Sequence, residues 1–173
     1  LLSGVKGNNN LSDAGKLLIL HDRLAIWTQY DMDSSSGESK YTAYGALVSR
    51  DAVCMGYALA YDYLLERAGI ESQYCSSEKL VHAWNIVYIN NKPYHVDITW
   101  DDVANDVSGQ VFHDNFLRST EGIKSTGHTY GVLGRTDYIT TPKDTTYDNY
   151  FWQDSITSFQ YVNDNIYYVD CDL

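Results

Sequence analysis

The stretch His82-Ala83-Trp84-Asn85-Ile86-Val87-Tyr88-Ile89-Asn90-Asn91-Lys92-Pro93-Tyr94-His95-Val96-Asp97-Ile98-Thr99 decides the fold. Val, Ile and Tyr fill both arms, as on a pleated, buried surface. Asn90-Asn91 between them tolerates the left-handed backbone of a two-residue hairpin turn. The arms read as strands over residues 81–90 and from about residue 93 to 99. Pairing outward from the turn sets Trp84 opposite Asp97, with His82 on the same face and one diagonal step away. Such neighbours lie roughly 7–8 Å apart or less, a gap that an imidazole and a carboxylate can span. An acid bonded to one ring nitrogen fixes the tautomer and leaves the other nitrogen free to face a thiolate. His95 has the same parity, so alternation alone leaves two histidines for one acid. A metal site built from His82, His95 and Asp97 is a further option on spacing grounds.

Upstream, residues 51–68 form the clearest helix. Ala58, Leu59, Tyr61, Leu65 and Ala68 line one side, and Gly69 sits where a helix ends in a left-handed residue. Asp51 reads as its N-cap, and Cys54 falls in its first turn. There the helix dipole and unused backbone N–H groups favour thiolate. Standing alone among Ala52, Val53 and Met55, Cys54 would read as an apolar core filler. With a His/Asp face in the same chain it reads as a nucleophile. Residues 11–30 are helical in pattern, with Ser12 or Asp13 as the cap. Residues 31–40 are a polar loop, 41–48 a short helix and 71–75 another strand. Residues 101–110 are an acidic loop, 111–117 an apolar cluster and 118–150 mostly irregular. Residues 158–162 and 166–171 flank Asn163-Asp164-Asn165 as a hairpin, and the Gly/Asn-rich residues 1–10 read as a tail. Helices first and sheet afterwards give an α+β chain.

The 173 residues suffice for one domain with a core and an appendage. A net charge of −11 without any Lys/Arg cluster repels phosphate backbones and anionic lipids, which excludes nucleic-acid and membrane-surface partners. No apolar run approaches the roughly 20 residues of a membrane span, so membrane insertion is not expected. Sixteen tyrosines with frequent Asn, Ser, Thr and Asp point to an extracellular or cell-surface protein. Leu1 is not a start methionine, so the chain reads as a mature product or as part of a larger multi-domain protein. Cys54, Cys75 and Cys171 are an odd number without a CxxC pair, which speaks against a disulfide framework or a zinc ribbon. Three free thiols are expected. Asp101, Asp102 and Asp106 lack an EF-hand pattern and read as solvated acids.

The segments Val53-Cys54-Met55-Gly56-Tyr57-Ala58, Ala68-Gly69-Ile70, His82-Ala83-Trp84-Asn85 and Tyr94-His95-Val96-Asp97-Ile98-Thr99-Trp100-Asp101-Asp102 resemble, in order and spacing, the core of the transglutaminase-like superfamily. His113-Asp114-Asn115-Phe116-Leu117 is similar to a segment of its bacterial members. The resemblance implies a papain-like core over residues 11–138 and a β-hairpin extension over 139–173 leading into a further domain. It implies Cys54 as nucleophile, His82 as general base and acid, and Asp97 as the orienting group, with His95 an ordinary sheet residue. Trp84 would shield the ion pair at the edge of the substrate site. The oxyanion would be held by the Cys54 N–H and a second donor that the sequence does not identify. The implied chemistry is acyl transfer through a thioester on a peptide or protein substrate, with no cofactor. Hydrolysis of a peptide or side-chain amide comes first and amine cross-linking second. The segment 73–79 lacks the family's loop glycine and is expected to border the cleft, so substrate choice does not carry over. The rival from another class is a non-catalytic peptide- or glycan-binding module of a surface protein.

Overall fold

The computed structural model describes residues 1–32, 37–102, 108–128 and 141–169. Helix α1, Asp13–Trp27, starts at Ser12, whose hydroxyl accepts the Gly15 N–H. It packs on α2, Cys54–Ala68, with the Tyr61 hydroxyl donating to the Leu17 carbonyl at 2.9 Å. Between them run short parallel strands β1, Gln29–Tyr30, and β2, Asp51–Ala52, with a 3₁₀ turn at Gly37–Tyr41 and a π turn at Gly45–Ser49. The short helix expected over residues 41–48 is a tight 3₁₀ turn ending at Tyr41 followed by a wider π turn over Gly45–Ser49. Asp51 pairs in β2, and Val53 occupies the N-cap of α2 without a capping side chain. Gly69, at φ 79°, ends α2 as expected: its left-handed backbone lets the Ile70 N–H reach back to Leu65.

The central antiparallel sheet has the order β3–β4–β5, with β3 at Ser72–Ser77, β4 at His82–Ile89 and β5 at Lys92–Val96. Asn90 and Asn91, both at positive φ (51° and 63°), make the turn that keeps Ile89 opposite Lys92 and Ile86 opposite His95. One face, with Val87, Ile89, Tyr94 and Val96, joins the main core formed with α1 and α2. The other carries Cys75, Trp84 and Ile86 and is covered by Ile123 of α4, Thr120–Ser125. β5 stops at Val96 rather than near residue 99. The Asp97 side chain accepts the Trp100 N–H at 3.4 Å and turns the chain into α3, Ile98–Asp101.

The terminal segments differ from their reading as a tail and an appendage. Arg23 donates to the Leu1 and Ser3 carbonyls at 2.6 and 2.7 Å, and Val5 is fully buried in the core. Trp152 and Phe159 lie in that same core. Beyond them β6, Gln160–Val162, and β7, Asn165–Tyr167, form the expected hairpin over Asn163-Asp164, again at positive φ. The boundary expected between residues 138 and 139 lies outside the described residues, as does Cys171.

Candidate active site

Cys54 is the first residue of α2, so its own N–H and that of Met55 have no carbonyl below them in the helix. Because Val53 brings no capping oxygen, those N–H groups remain available to the thiol. Burial pushes the Cys54 thiol up. The His82 hydrogen bond and charge, with the backbone N–H groups of Ala83 and Met55, outweigh it and leave it below its ordinary value. Gly56 permits this position. A Cβ there would run into the Lys40 carbonyl and lie 2.8 Å from Ala52 Cβ.

His82 opens β4 and bonds through Nε2 to Asp97 Oδ2 at 2.5 Å, which leaves Nδ1 for Cys54. Burial lowers His82, but the hydrogen bonds to Asp97 and Cys54 and the attraction of both anions raise it to about 9. Burial raises Asp97, but bonds to His128 and His82 hold it below the usual carboxylate range. Thiolate, imidazolium and carboxylate thus support one another along a single line. The structure brings together Cys54, His82 and Asp97 and sets His95 apart. His95 is buried, accepts the Trp84 indole N–H at Nδ1 (3.0 Å) and meets Thr120 Oγ1 at Nε2 (3.1 Å). Burial holds it neutral, down at about 3.

Trp84 stacks on His82 with ring centroids 5.8 Å apart, yet it is 1% exposed and faces the inside of the sheet, not substrate. The more exposed indole beside His82 is Trp100, 38% exposed, with ring centroids 5.0 Å apart. Trp100 stood in the quoted motif without an assigned role, and parity could not show that α3 turns it over His82. His128 was not anticipated at all. It is fully buried and bonds through Nε2 to Asp97 Oδ2 at 2.8 Å. It comes from the chain after α4, where no periodicity announces it.

Cys54 and His82 open into a cleft of about 270 Å³ bordered by Tyr41, Met55, Tyr74, Glu78 and Val81. The segment around residue 76 therefore borders the cleft as expected. Val81, 85% exposed at φ 51°, stands on its lip in a backbone conformation rare for a β-branched residue.

A second buried cluster lies behind the first. His21 faces Asp22 at 2.8 Å and Asp101 at 3.2 Å, and His113 faces Asp22 at 3.0 Å and the Ser155 carbonyl at 3.0 Å. Asp101, expected in a solvated loop, is fully buried and accepts from Asn115 as well. Among the described residues, His82, Asp97 and His128 and likewise His21, Asp22 and His113 hold potential metal ligands within 4.8 Å of one another. In each group both imidazoles meet one shared carboxylate oxygen at hydrogen-bond distance, so protons already bridge the positions a cation would span.

The transglutaminase-like superfamily core matches residues 6–98, more than half of the chain and a span that includes Cys54, His82 and Asp97. The chain belongs to the transglutaminase-like superfamily. Among solved structures it is similar to a TGase, at 17% identity and a TM-score of 0.47 over 56% of this chain and 29% of that one. It is also similar to "a Putative Cysteine Protease from Cytophaga hutchinsonii", at 24% identity and a TM-score of 0.41 over 49% of this chain and 30% of the other. The chain spans under a third of either protein's length. No curated protein matches at a significant level.

Proposed function

We propose that this chain carries out cysteine-dependent acyl transfer, hydrolysing a peptide bond or a side-chain amide of a peptide or protein. The observation that carries the reading is the continuous Cys54–His82–Asp97 line, with His82 Nε2 on Asp97 Oδ2 at 2.5 Å and the thiol at a helix N-terminus. The Cys54 sulfur attacks the carbonyl carbon, and the oxyanion forms against the first-turn N–H of α2. His82, holding the proton of the former thiol, passes it to the departing amine as the C–N bond breaks, leaving a thioester. Water then attacks the thioester carbonyl while His82 takes its proton. The acid leaves, and the thiol and imidazole are restored. Asp97 keeps the imidazole oriented throughout.

Water at about 55 M competes with any amine unless it is excluded, and exclusion requires walls around the thioester. Among the described residues Cys54 and His82 face an open cleft, which favours water as the acceptor. Incubation of the protein and its Cys54→Ala variant with a peptide library, with and without a fluorescent primary amine, tests this. New peptide termini, or glutamate in place of glutamine, made only by the unaltered protein support hydrolysis. Cys54-dependent amine incorporation without either product overturns it in favour of cross-linking.

A further inference from the structure

We propose that His128 is a positioning residue of the Cys54–His82–Asp97 array: by donating to the same carboxylate oxygen as His82, it loosens Asp97's hold on the His82 proton. The inference rests on the reading of Cys54 as nucleophile and His82 as its base. Asp97 Oδ2 receives His82 Nε2 at 2.5 Å and His128 Nε2 at 2.8 Å, while among the described residues Oδ1 receives the Trp100 N–H at 3.4 Å. A carboxylate only accepts, so His128 carries its proton on Nε2. Two donors on one oxygen divide its charge, and each is held less tightly than it would be alone.

His128 is fixed in this role. It is fully buried, its ring centroid is 4.0 Å from that of Trp100, and Trp84 meets it edge-on at 5.1 Å. The two indoles that flank His82 therefore also wall His128. Its other nitrogen lies 3.4 Å from Thr126 Oγ1, which bonds Asn115 Oδ1 at 2.5 Å, and Asn115 Nδ2 in turn donates to Asp101. Among the described residues, the other titratable groups facing the pair are His95 and Cys75 from the sheet and Tyr30 beside β2. His95 titrates down at about 3 and Cys75 up at about 12, and burial raises Tyr30. On the cleft side the titratable neighbours are His82, raised to about 9, and Cys54, lowered from its ordinary value.

A mere filler of buried space would leave the His82 titration unmoved when replaced by a ring of similar size. His128→Phe keeps a ring between the indoles and removes the donor, whereas His128→Gln keeps an N–H. Ring-carbon NMR titration of histidine-labelled protein should show the His82 pKa rising by about one unit in His128→Phe, about tenfold in proton affinity, and near its starting value in His128→Gln. His128→Asn, whose amide is too short to reach Asp97, should behave like His128→Phe and serves if the aromatic variant fails to fold. An unmoved or lowered His82 titration in a folded variant without the donor overturns the proposal. Cys54 alkylation by iodoacetamide, measured on the same samples, tests the nucleophile separately. Absent reactivity there would sink the catalytic reading while the titration still decides the link between the histidines.

Discussion

The Cys54 thiol is drawn below its ordinary pKa by two neighbours of different kinds, a helix end and an imidazolium, and mutation separates them. His82 stays charged up to about pH 9, and Cys54 ionises below its ordinary value, so the ion pair forms at a lower pH than an isolated thiol would ionise. Iodoacetamide should therefore alkylate Cys54 readily at about pH 6.5. His82→Ala should slow the reaction about tenfold for each pKa unit the thiol regains. His95→Gln should react at nearly the original rate, because His95 bonds Trp84 and Thr120 and not Asp97. Equal rates in the His82→Ala and unaltered proteins would remove the ion pair from the mechanism. That Cys54 starts a helix and that His82, His95 and Asp97 share a parity was legible in the sequence, because a helix start and strand alternation are local properties. The choice between His82 and His95 was not legible from parity and needed the family resemblance. His128 was invisible because its partner lies 31 residues earlier, across α3 and α4.

At the scale of elements, the turn at Asn90-Asn91 carried the β4–β5 register, which the strands keep as far as Asn85 opposite Val96, one step short of Trp84 and Asp97. The end of β5 was not legible, since Ile98 and Thr99 continue the strand's alternation. The bond between Asp97 and the Trp100 N–H, with the Asp102 N–H on the Ile98 carbonyl at 2.8 Å, shows that the chain has begun a helix. The same limit applies to α2. Asp51 has a capping side chain, but its backbone is engaged in β2, and the apolar Val53 takes the cap. That start is seated against the 3₁₀ turn through Gly56. Gly56→Ala should cost about 1–3 kcal/mol, as overpacking does, and should slow Cys54 alkylation because the first turn must shift. Chemical denaturation with parallel alkylation checks this. Unchanged stability would mean that Lys40 and Ala52 give way freely.

Across the whole molecule, one buried network ties the ends of the chain together. Asp22 accepts from His21, His113 and the Phe159 N–H, the last at 2.5 Å. His21 has carboxylates at both ring nitrogens. Burial lowers it, but the bonds to Asp101 and Asp22 raise it from 6.5 to about 9. A raised folded value means that the stabilisation is fully present below about pH 6.5 and is lost as pH rises through about 9. His82 acts in the same direction. The melting temperature should therefore fall between about pH 7 and about pH 10, and a flat profile would show that these imidazoliums contribute nothing net. Asp22→Asn should cost about 3–5 kcal/mol by leaving buried charge uncompensated. It should also speed amide exchange in the segment around Phe159 more than in β4, and equal acceleration in both would deny the tie. Composition could not reveal any of this. A Gly/Asn-rich start reads as a tail unless Arg23 and the pocket for Val5 are already in view.

The second thiol sets how this protein meets oxidants. Cys75 is fully buried, and burial, with the Asp97 charge behind it, holds its thiol up at about 12. A peroxide reaching the cleft would convert the Cys54 thiolate to a sulfenic acid, which a neighbouring thiolate normally captures as a disulfide before further oxidation makes the damage permanent. Cys75 stays protonated inside the sheet and does not serve as that resolving partner. Rescue of an oxidised Cys54 from this side therefore falls to small thiols that enter by the same opening as the substrate.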